Sequence, residues 1–400
     1  MNFNPDLAVT RKEALELMIE HWPLQTGTEL IPVSQALGRV TARDVYSRNT
    51  MPVCRTSRMD GIAVRSSDFA GGIPDTTNWI KGREYVQADT GDDFPDEYDT
   101  VIAVENISFD EEGKLRFVET FSFTPGSGIR PEGSVVKEGD LLIKSHVRLT
   151  PVHLAVLLLG GIYQVEVVKK PKVIYIPTGN ELVAAGVIPE RGQNIEANGL
   201  MISSLLQQWG AEAVCYPIIK DNPAQLEQTL DMALAAGDMV LINGGSSKGA
   251  EDFNAHLLQK KASFFRHGIK TAPGKPVAIA VIDGKPVINL PGPTIAAFVA
   301  MDWCVKGLVH HYYGVPVPVR PKIKARLTKP LKKTPDFEYY FRLALEKQDD
   351  GYLARPLRNE KSLPQLLLEA DALLIAPFGV TEYQAGEEIE AEVLNGLENL

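Results

Sequence analysis

The chain has 400 residues, 44% of them hydrophobic and 23% charged, with a formal net charge of −10 and a pI near 5.3. That length leaves room for roughly two to four domains with cores of their own, and the acidic balance argues against general nucleic-acid binding, where a basic footprint is expected. An anionic ligand would have to be met by local cations and backbone donors, because the overall field opposes it.

In chain order, residues 6–21 predict an amphipathic helix, with a capping box from Thr10 to Glu13 and Leu15, Met18 and Ile19 on one face. Leu30 to Val33 leads into a short helical turn at Ser34 to Leu37, and Asp44 to Ser57 is polar and irregular. From there to about residue 145, short strands such as Tyr85 to Ala88, Thr100 to Glu105, Lys114 to Glu119 and Leu141 to Ile143 are punctuated by Gly, Pro and Asp. That spacing predicts a small all-β module. Thr150 to Leu159 predicts a helix with Pro151 in its first turn.

Residues 171–315 change character. Strands at Lys172 to Ile176, Val214 to Ile219, Val240 to Asn243 and Phe264 to Ile269 alternate with helices at Asn198 to Trp209, stopped by Gly210, and Pro223 to Ala236. Val277 to Ile282 and Val287 to Leu290 flank an Asp283-Gly284 hairpin turn, and Pro291-Gly292-Pro293-Thr294 opens a helix to about His310. Alternation of this kind implies a mostly parallel sheet with helices on both faces. After a Pro-rich linker from Pro316 to Pro321, strand-like runs at Ile323 to Leu327, Tyr339 to Leu345, Leu373 to Ala376 and Ile389 to Val393 predict a second small β module.

The fold class expected is therefore multidomain α+β. A helical and extended linker domain spans 1–45 and 145–170, a β-rich module 46–144, a central three-layer α/β domain 171–315, and a C-terminal β-barrel-like domain 316–400. Cys54, Cys215 and Cys304 form no CxxC pair and read as reduced thiols. No secretory leader is read at the N-terminus, and the strongest apolar run, Leu154 to Leu159, is too short to span a membrane. A cytoplasmic location without membrane or nucleic-acid partners is expected.

The stretch with most chemistry runs from Asp238 to Phe253. A buried-strand pattern ends in Gly244, Gly245, Ser246, Ser247, Lys248 and Gly249, with Asp252 where a helix would begin. Backbone N–H groups, hydroxyls and a lysine at the carboxyl end of a strand suit a phosphate, and carboxylates suit a hard cation such as Mg²⁺. The stretch spells neither the Walker pattern nor the dinucleotide fingerprint. Three further loops would gather at the same sheet edge: Thr178 to Leu182, Pro273 to Pro276, and Pro291 to Thr294.

These loops, with Ser57 to Val64 around Met59-Asp60-Gly61, Thr90-Gly91, Pro95, Asp99 to Ile102, Glu105, Ala370 to Ile375 and Gly386-Glu387, give the chain a full-length resemblance. It resembles the MoeA and gephyrin E-domain family of molybdopterin molybdotransferases. The resemblance implies a MogA-like α/β domain and a homodimer whose cleft joins the α/β domain of one subunit to the Met-Asp-Gly module of the other. It implies Mg-dependent insertion of molybdate into adenylylated molybdopterin, with AMP leaving and molybdenum cofactor as product. On the matching positions, Asp60, Asp252 and Glu181 fall in catalytic places. Thr178, Gly179, Asn198, Gly244 through Gly249, Lys275, Pro291 and Gly292 fall in substrate-binding places, and Asp252 and Glu196 fall on the metal. A MogA-like adenylyltransferase would supply the substrate, and molybdoenzymes or their chaperones would receive the product.

The chain departs from the family pattern in places. Glu196-Ala197-Asn198 stands for Asp-x-Asn, Thr56-Ser57-Arg58 for Asn-Ser-Ala, and Glu132-Gly133-Ser134-Val135 for Arg-Gly-Glu-Asp. Ala272 replaces a basic residue, with Lys270 and His267 as candidate substitutes, and Pro293-Thr294 follows Pro291-Gly292 where the family has Asn-Pro. These departures motivate an alternative: a catalytically impaired paralogue that carries molybdopterin or its cofactor. A nucleotide hydrolase on a MogA-like domain is a third reading, and it leaves both β modules unexplained.

Overall fold

The structure is a computed structural model, and it describes residues 8–244, 253–349, 351–357, 366, 368–394 and 396. It divides into two compact units, residues 28–168 and the rest of the chain.

Helix α1 (Arg11–His21) begins with the expected capping box: Thr10 Oγ1 accepts the Glu13 N–H, and the Glu13 carboxylate accepts the Thr10 N–H. Its buried residues are Ala14 and Met18. The helix falls in the compact unit that contains the α/β domain. Amphipathic spacing announces an apolar stripe and not the surface that covers it. Here Leu15 occupies the space beside Gly307, where an added Cβ would lie 2.6 Å from a Leu15 methyl.

The 28–168 unit contains β1 (Thr28–Pro32), then β2 (Gly61–Val64), β3 (Tyr85–Ala88), β4 (Thr100–Ala103), helix α2 (Pro151–Leu159) and β5 (Gln164–Val168). β5 returns antiparallel to β1, and β2 is the centre of an antiparallel sheet between β3 and β4. Among its cores, one is aliphatic, around Ile31, Val33, Leu157 and Val165, and one is aromatic, around Phe69, Tyr85 and Phe121.

The α/β domain runs through β6 (Lys172–Pro177), α3 (Asn198–Trp209), β7 (Glu212–Cys215), α4 (Pro223–Ala236), β8 (Met239–Asn243), α5 (Phe253–Lys261), β9 (Phe264–His267), β10 (Ala278–Ile282) and β11 (Lys285–Leu290). Spatial order is β7-β6-β8-β11-β10-β9. The first four strands are parallel, and β10 and β9 complete the edge in antiparallel fashion. Every residue of β8 and β10 is buried, the mark of a sheet covered on both faces. One face takes Leu226, Leu230 and Leu234 of α4 and Leu258 of α5 against Ile174, Ile176, Val240 and Ile242. The other is covered by α1, α3 and a helix from 294 to 313, made of α6 (Thr294–Ala300), a π-turn (Met301–Val305) and α7 (Lys306–Tyr313). Gly210 ends α3 at φ 94°, and Asp283 and Gly284 turn the β10–β11 hairpin at φ 50° and 73°.

Five strands close the C-terminal domain: β12 (Lys322–Leu327), β13 (Glu338–Gln348), β14 (Gly351–Pro356), β15 (Ala372–Ala376) and β16 (Glu388–Val393). The order β13-β14-β12-β16-β15 is joined into a barrel by a β13–β15 ladder, around Leu327, Leu343, Leu374 and Ile389. Thr271–Ala272 pairs with the start of β13, which sets the barrel beside the loop between β9 and β10. This is the multidomain fold class expected from the sequence. No helix among the described residues is long and apolar enough to cross a membrane.

Candidate functional site

The chain forms β6, crosses to β7 on one side, then returns to place β8 on the other. Strand order reverses between β6 and β8, and ligands of open α/β sheets bind outside the carboxyl ends of strands at such a point. There the Thr178 N–H donates to the Asn243 carbonyl at 2.8 Å, and the Gly244 N–H donates to the Leu290 carbonyl at 3.2 Å. Thr178, Gly244, Pro291 and Gly292 therefore share one rim. β9 is antiparallel to β10, which is antiparallel to β11, so the loop carrying Pro273 to Pro276 opens on the same rim. Gly274 lies near the Ala296 carbonyl of α6, and the Lys275 ammonium sits over the Phe337 ring, 4.8 Å from its centroid.

Beneath the rim is a polar network in an otherwise apolar sheet. Asn243 is buried, and its Oδ1 accepts from the Asn198 amide at 2.8 Å and from the Tyr175 hydroxyl at 2.9 Å. Its Nδ2 donates to the Pro291 carbonyl at 2.7 Å. Asn198 Nδ2 also donates to the Gly292 carbonyl at 2.8 Å, so its amide nitrogen is fully used by two acceptors, and its buried Oδ1 has no partner. Asn254 Nδ2 donates to the Gly244 carbonyl at 2.9 Å and approaches Asn289 Oδ1 at 3.3 Å, while the buried Asn289 Nδ2 has no partner. Polar groups are buried at this cost where they hold loops in one arrangement. The Tyr175 hydroxyl is pushed far above its ordinary value by burial and then by the adjacent Glu196 carboxylate, which keeps it a donor.

The loop after β6 is tied from below. Asn180 and Asp221 exchange side-chain and backbone hydrogen bonds, and Lys220 Nζ donates to the carbonyls of Asn180 and Leu182 at 3.0 and 2.8 Å. Glu181 is exposed on this loop. Its carboxylate sits 2.6 Å from where a Cβ of Gly179 would be, and Gly179 has φ 148°, so a side chain is excluded there on both counts. Glu196 Oε1 accepts from the Tyr175 hydroxyl and from the Gly199 N–H, both at 2.9 Å.

In the other unit, Asp60 is exposed and precedes β2. Its Oδ1 accepts the Thr90 N–H at 2.7 Å, and that bond holds the carboxyl below its ordinary value. Gly61 is required by the sheet, since a Cβ would lie 1.9 Å from the Ile102 carbonyl oxygen. Buried Ser57 braces the segment by hydrogen bonds to Met59.

The structure thus brings Thr178, Gly179, Glu181, Glu196, Asn198, Gly244, Lys275, Pro291 and Gly292 to one end of the sheet, and Asp60 belongs to the other unit. Gly245, Ser246, Ser247, Lys248, Gly249 and Asp252 lie outside the described residues. Among the described residues no three His, Cys, Asp or Glu side chains gather as metal ligands. Sequence alone assigns no role to Tyr175, Asn254 and Asn289, and places Asn243 at a strand end and at the start of a segment that carries the resemblance. The available signal was a buried-strand pattern interrupted by an amide: Asn243 ends one apolar run, and Asn289 falls inside another.

Comparison with known proteins agrees along the chain. Residues 9–161 match the MoeA N-terminal region (domain I and II), 174–311 a probable molybdopterin binding domain, and 324–394 the MoeA C-terminal region (domain IV). The molybdopterin molybdenumtransferase of Haemophilus influenzae is 32% identical over 321 residues, covering 76% of this chain and 78% of that protein. Molybdopterin molybdenumtransferase 2 of Mycobacterium tuberculosis is 27% identical over 384 residues, covering 90% and 93%. The crystal structure of the molybdopterin biosynthesis MoeA protein from Pyrococcus horikoshii superposes with a TM-score of 0.79 at 28% identity, covering 97% of this chain and 100% of that one. With every domain matched and the order preserved, the chain belongs to the MoeA family of molybdopterin molybdenumtransferases.

Proposed function

We propose that this protein inserts molybdate into adenylylated molybdopterin, releasing AMP and leaving molybdenum on the pterin. The observation that carries the reading is the braced rim at the strand-order reversal, which falls within the segment matching a molybdopterin binding domain. Molybdate, the pterin phosphate and AMP are all anions, and the chain's charge of −10 gives them no general attraction. The rim offers them Lys275 and backbone turned outward at glycines, and Lys248 in the Gly244 to Gly249 loop adds a second cation by sequence.

Cleaving the adenylate requires that charge on its phosphates be neutralised as AMP leaves. Mg²⁺ would supply this when bound, and Asp252 is the residue proposed to hold it. Glu181, on the loop tied down by Lys220, is proposed to face the reacting phosphate. We further propose a cytoplasmic homodimer in which Asp60 of one copy serves the rim of the other. A MogA-like adenylyltransferase would act before it, and molybdoenzymes or their chaperones after it. No observation favours a carrier without turnover.

The test is incubation of the purified protein with adenylylated molybdopterin, molybdate and Mg²⁺. AMP release that depends on molybdate is expected. Folded protein that releases no AMP above background would overturn the reading.

A further inference from the structure

We propose that Tyr175 and Glu196 form a positioning pair that locks the start of α3 to the carboxyl end of β8, with Glu196 serving the rim and not a metal ion. The inference rests on the proposed reaction for its kinetic test, and a binding test stands apart from it.

Tyr175 is completely buried in a strand whose neighbours are Ile174 and Ile176. A hydroxyl costs free energy there unless it is hydrogen-bonded. It lies 2.9 Å from Glu196 Oε1 and 2.9 Å from Asn243 Oδ1. The two oxygens are equidistant, so the single hydroxyl proton is shared between the carboxylate and the amide oxygen, which also receives an N–H from Asn198.

Glu196 in turn caps α3. The N-cap residue, Ala197, has no side-chain acceptor, and helix starts leave N–H groups that need one. Glu196 Oε1 takes the Gly199 N–H. Gly199 makes room for this: a Cβ there would lie 2.8 Å from Glu196 Oε2 and 3.0 Å from the Tyr175 ring. The family's aspartate, one methylene shorter, would have less reach to serve both the hydroxyl and the N–H.

The pair acts on the rim through amides. Tyr175 holds Asn243, Asn243 holds Pro291, and Asn198 holds Gly292. The end of β8, the start of α3 and the Pro291-Gly292 loop thus depend on one buried hydroxyl and one carboxylate that need not touch substrate.

The experiment compares the full chain with Tyr175→Phe, Glu196→Gln and Glu196→Asp. It measures kcat, the KM for adenylylated molybdopterin, and the Mg²⁺ concentration giving half-maximal rate. Loss of a buried, charge-assisted hydrogen bond predicts a fall in kcat/KM of about tenfold for Tyr175→Phe and for Glu196→Asp. Glu196→Gln keeps an oxygen for both donors and should stay within about threefold. Mg²⁺ half-saturation should stay within about twofold in all three, since none would remove a ligand. The opposite pattern would overturn the pair: Glu196→Gln raising the Mg²⁺ requirement tenfold or more while Tyr175→Phe behaves as the parent.

If the parent shows no turnover, the proposed reaction fails and the pair is tested by fluorescence titration with molybdopterin. Weaker binding by Tyr175→Phe and Glu196→Asp, but not by Glu196→Gln, supports it. Equal binding by all four proteins overturns it. Circular dichroism and thermal melts confirm that each variant is folded, and Tyr175→Phe keeps the ring in place should the aspartate variant fail.

Discussion

Gly244 packs so tightly on Thr178 that a Cβ built on it would lie 2.2 Å from the Thr178 carbonyl oxygen. Its φ of 114° is also closed to most side chains. Nothing flexible is available to yield, because the obstacle is backbone on the neighbouring strand end. Gly244→Ala should therefore destabilise by roughly 2–3 kcal/mol and move the rim. The urea midpoint and AMP release should both fall. Parent-like values for both would show that the two strand ends are not held as described.

Asn243 is the shared post of the network, bonded to Tyr175, Asn198 and Pro291. Asn243→Ala strands a buried donor and a buried acceptor. The cost should be about 2–6 kcal/mol, from roughly 1–3 for each unsatisfied group. Asn243→Asp keeps the acceptor but puts a second carboxylate near Glu196 and removes the donor to Pro291. Denaturation should rank the parent above both variants, and turnover should be more sensitive than stability because the rim loosens first.

The barrel is held beside the α/β domain partly by ions. Asp302 in the π-turn takes a forked pair from Arg320 at 2.9 and 2.6 Å, and Arg11 of α1 forks onto Glu338 of β13 at 2.9 and 3.0 Å. The Asp302 and Arg320 side chains are only 11% and 18% exposed. Removing one partner of an isolated pair of this kind costs more than removing both, since the remaining charge stays buried. Asp302 also faces Lys306 at 3.9 Å and Arg320 faces Glu392 at 3.6 Å, so Arg320→Met should cost about 3 kcal/mol and Asp302→Leu with Arg320→Met, which strands Lys306 and Glu392, should cost at least as much. A urea series on the two proteins checks the order.

Much of this was legible in the sequence, for physical reasons. The capping box at Thr10 and Glu13, the stop at Gly210 and the turn at Asp283-Gly284 are local signals, each satisfied within a few residues. The alternation that located the α/β domain follows from burial on two faces. The partner of α1 was not legible, because the slot at Gly307 is nearly three hundred residues away in the chain. Nor was the network under the rim. Tyr175 fits the apolar pattern of its strand, and its partners Glu196 and Asn243 are 21 and 68 residues further on. The resemblance puts Glu196 on a metal, and sequence does not display its bonds to the Tyr175 hydroxyl and the Gly199 N–H.

Asp60 offers a titration test. Its carboxyl is lowered by the Thr90 N–H from an ordinary value of 3.8. The resulting stabilisation is whole above that value and disappears as the pH falls through the lower, folded one. Asp60 is therefore ionised throughout the neutral range, and an acid limb of activity between pH 5 and 7 should survive Asp60→Asn in shape. The Thr90 amide resonance should move with acid in the parent and stay still in Asp60→Asn. Movement in both would place the titrating group elsewhere.

In the proposed reaction, one rim couples AMP departure to molybdenum capture. The most direct measurement follows both in a single turnover, counting AMP released and molybdenum retained on the pterin after gel filtration. One AMP is expected for each molybdenum, with both lost together in Asp252→Ala. AMP released in full with no molybdenum retained would contradict it, since that outcome describes a hydrolase.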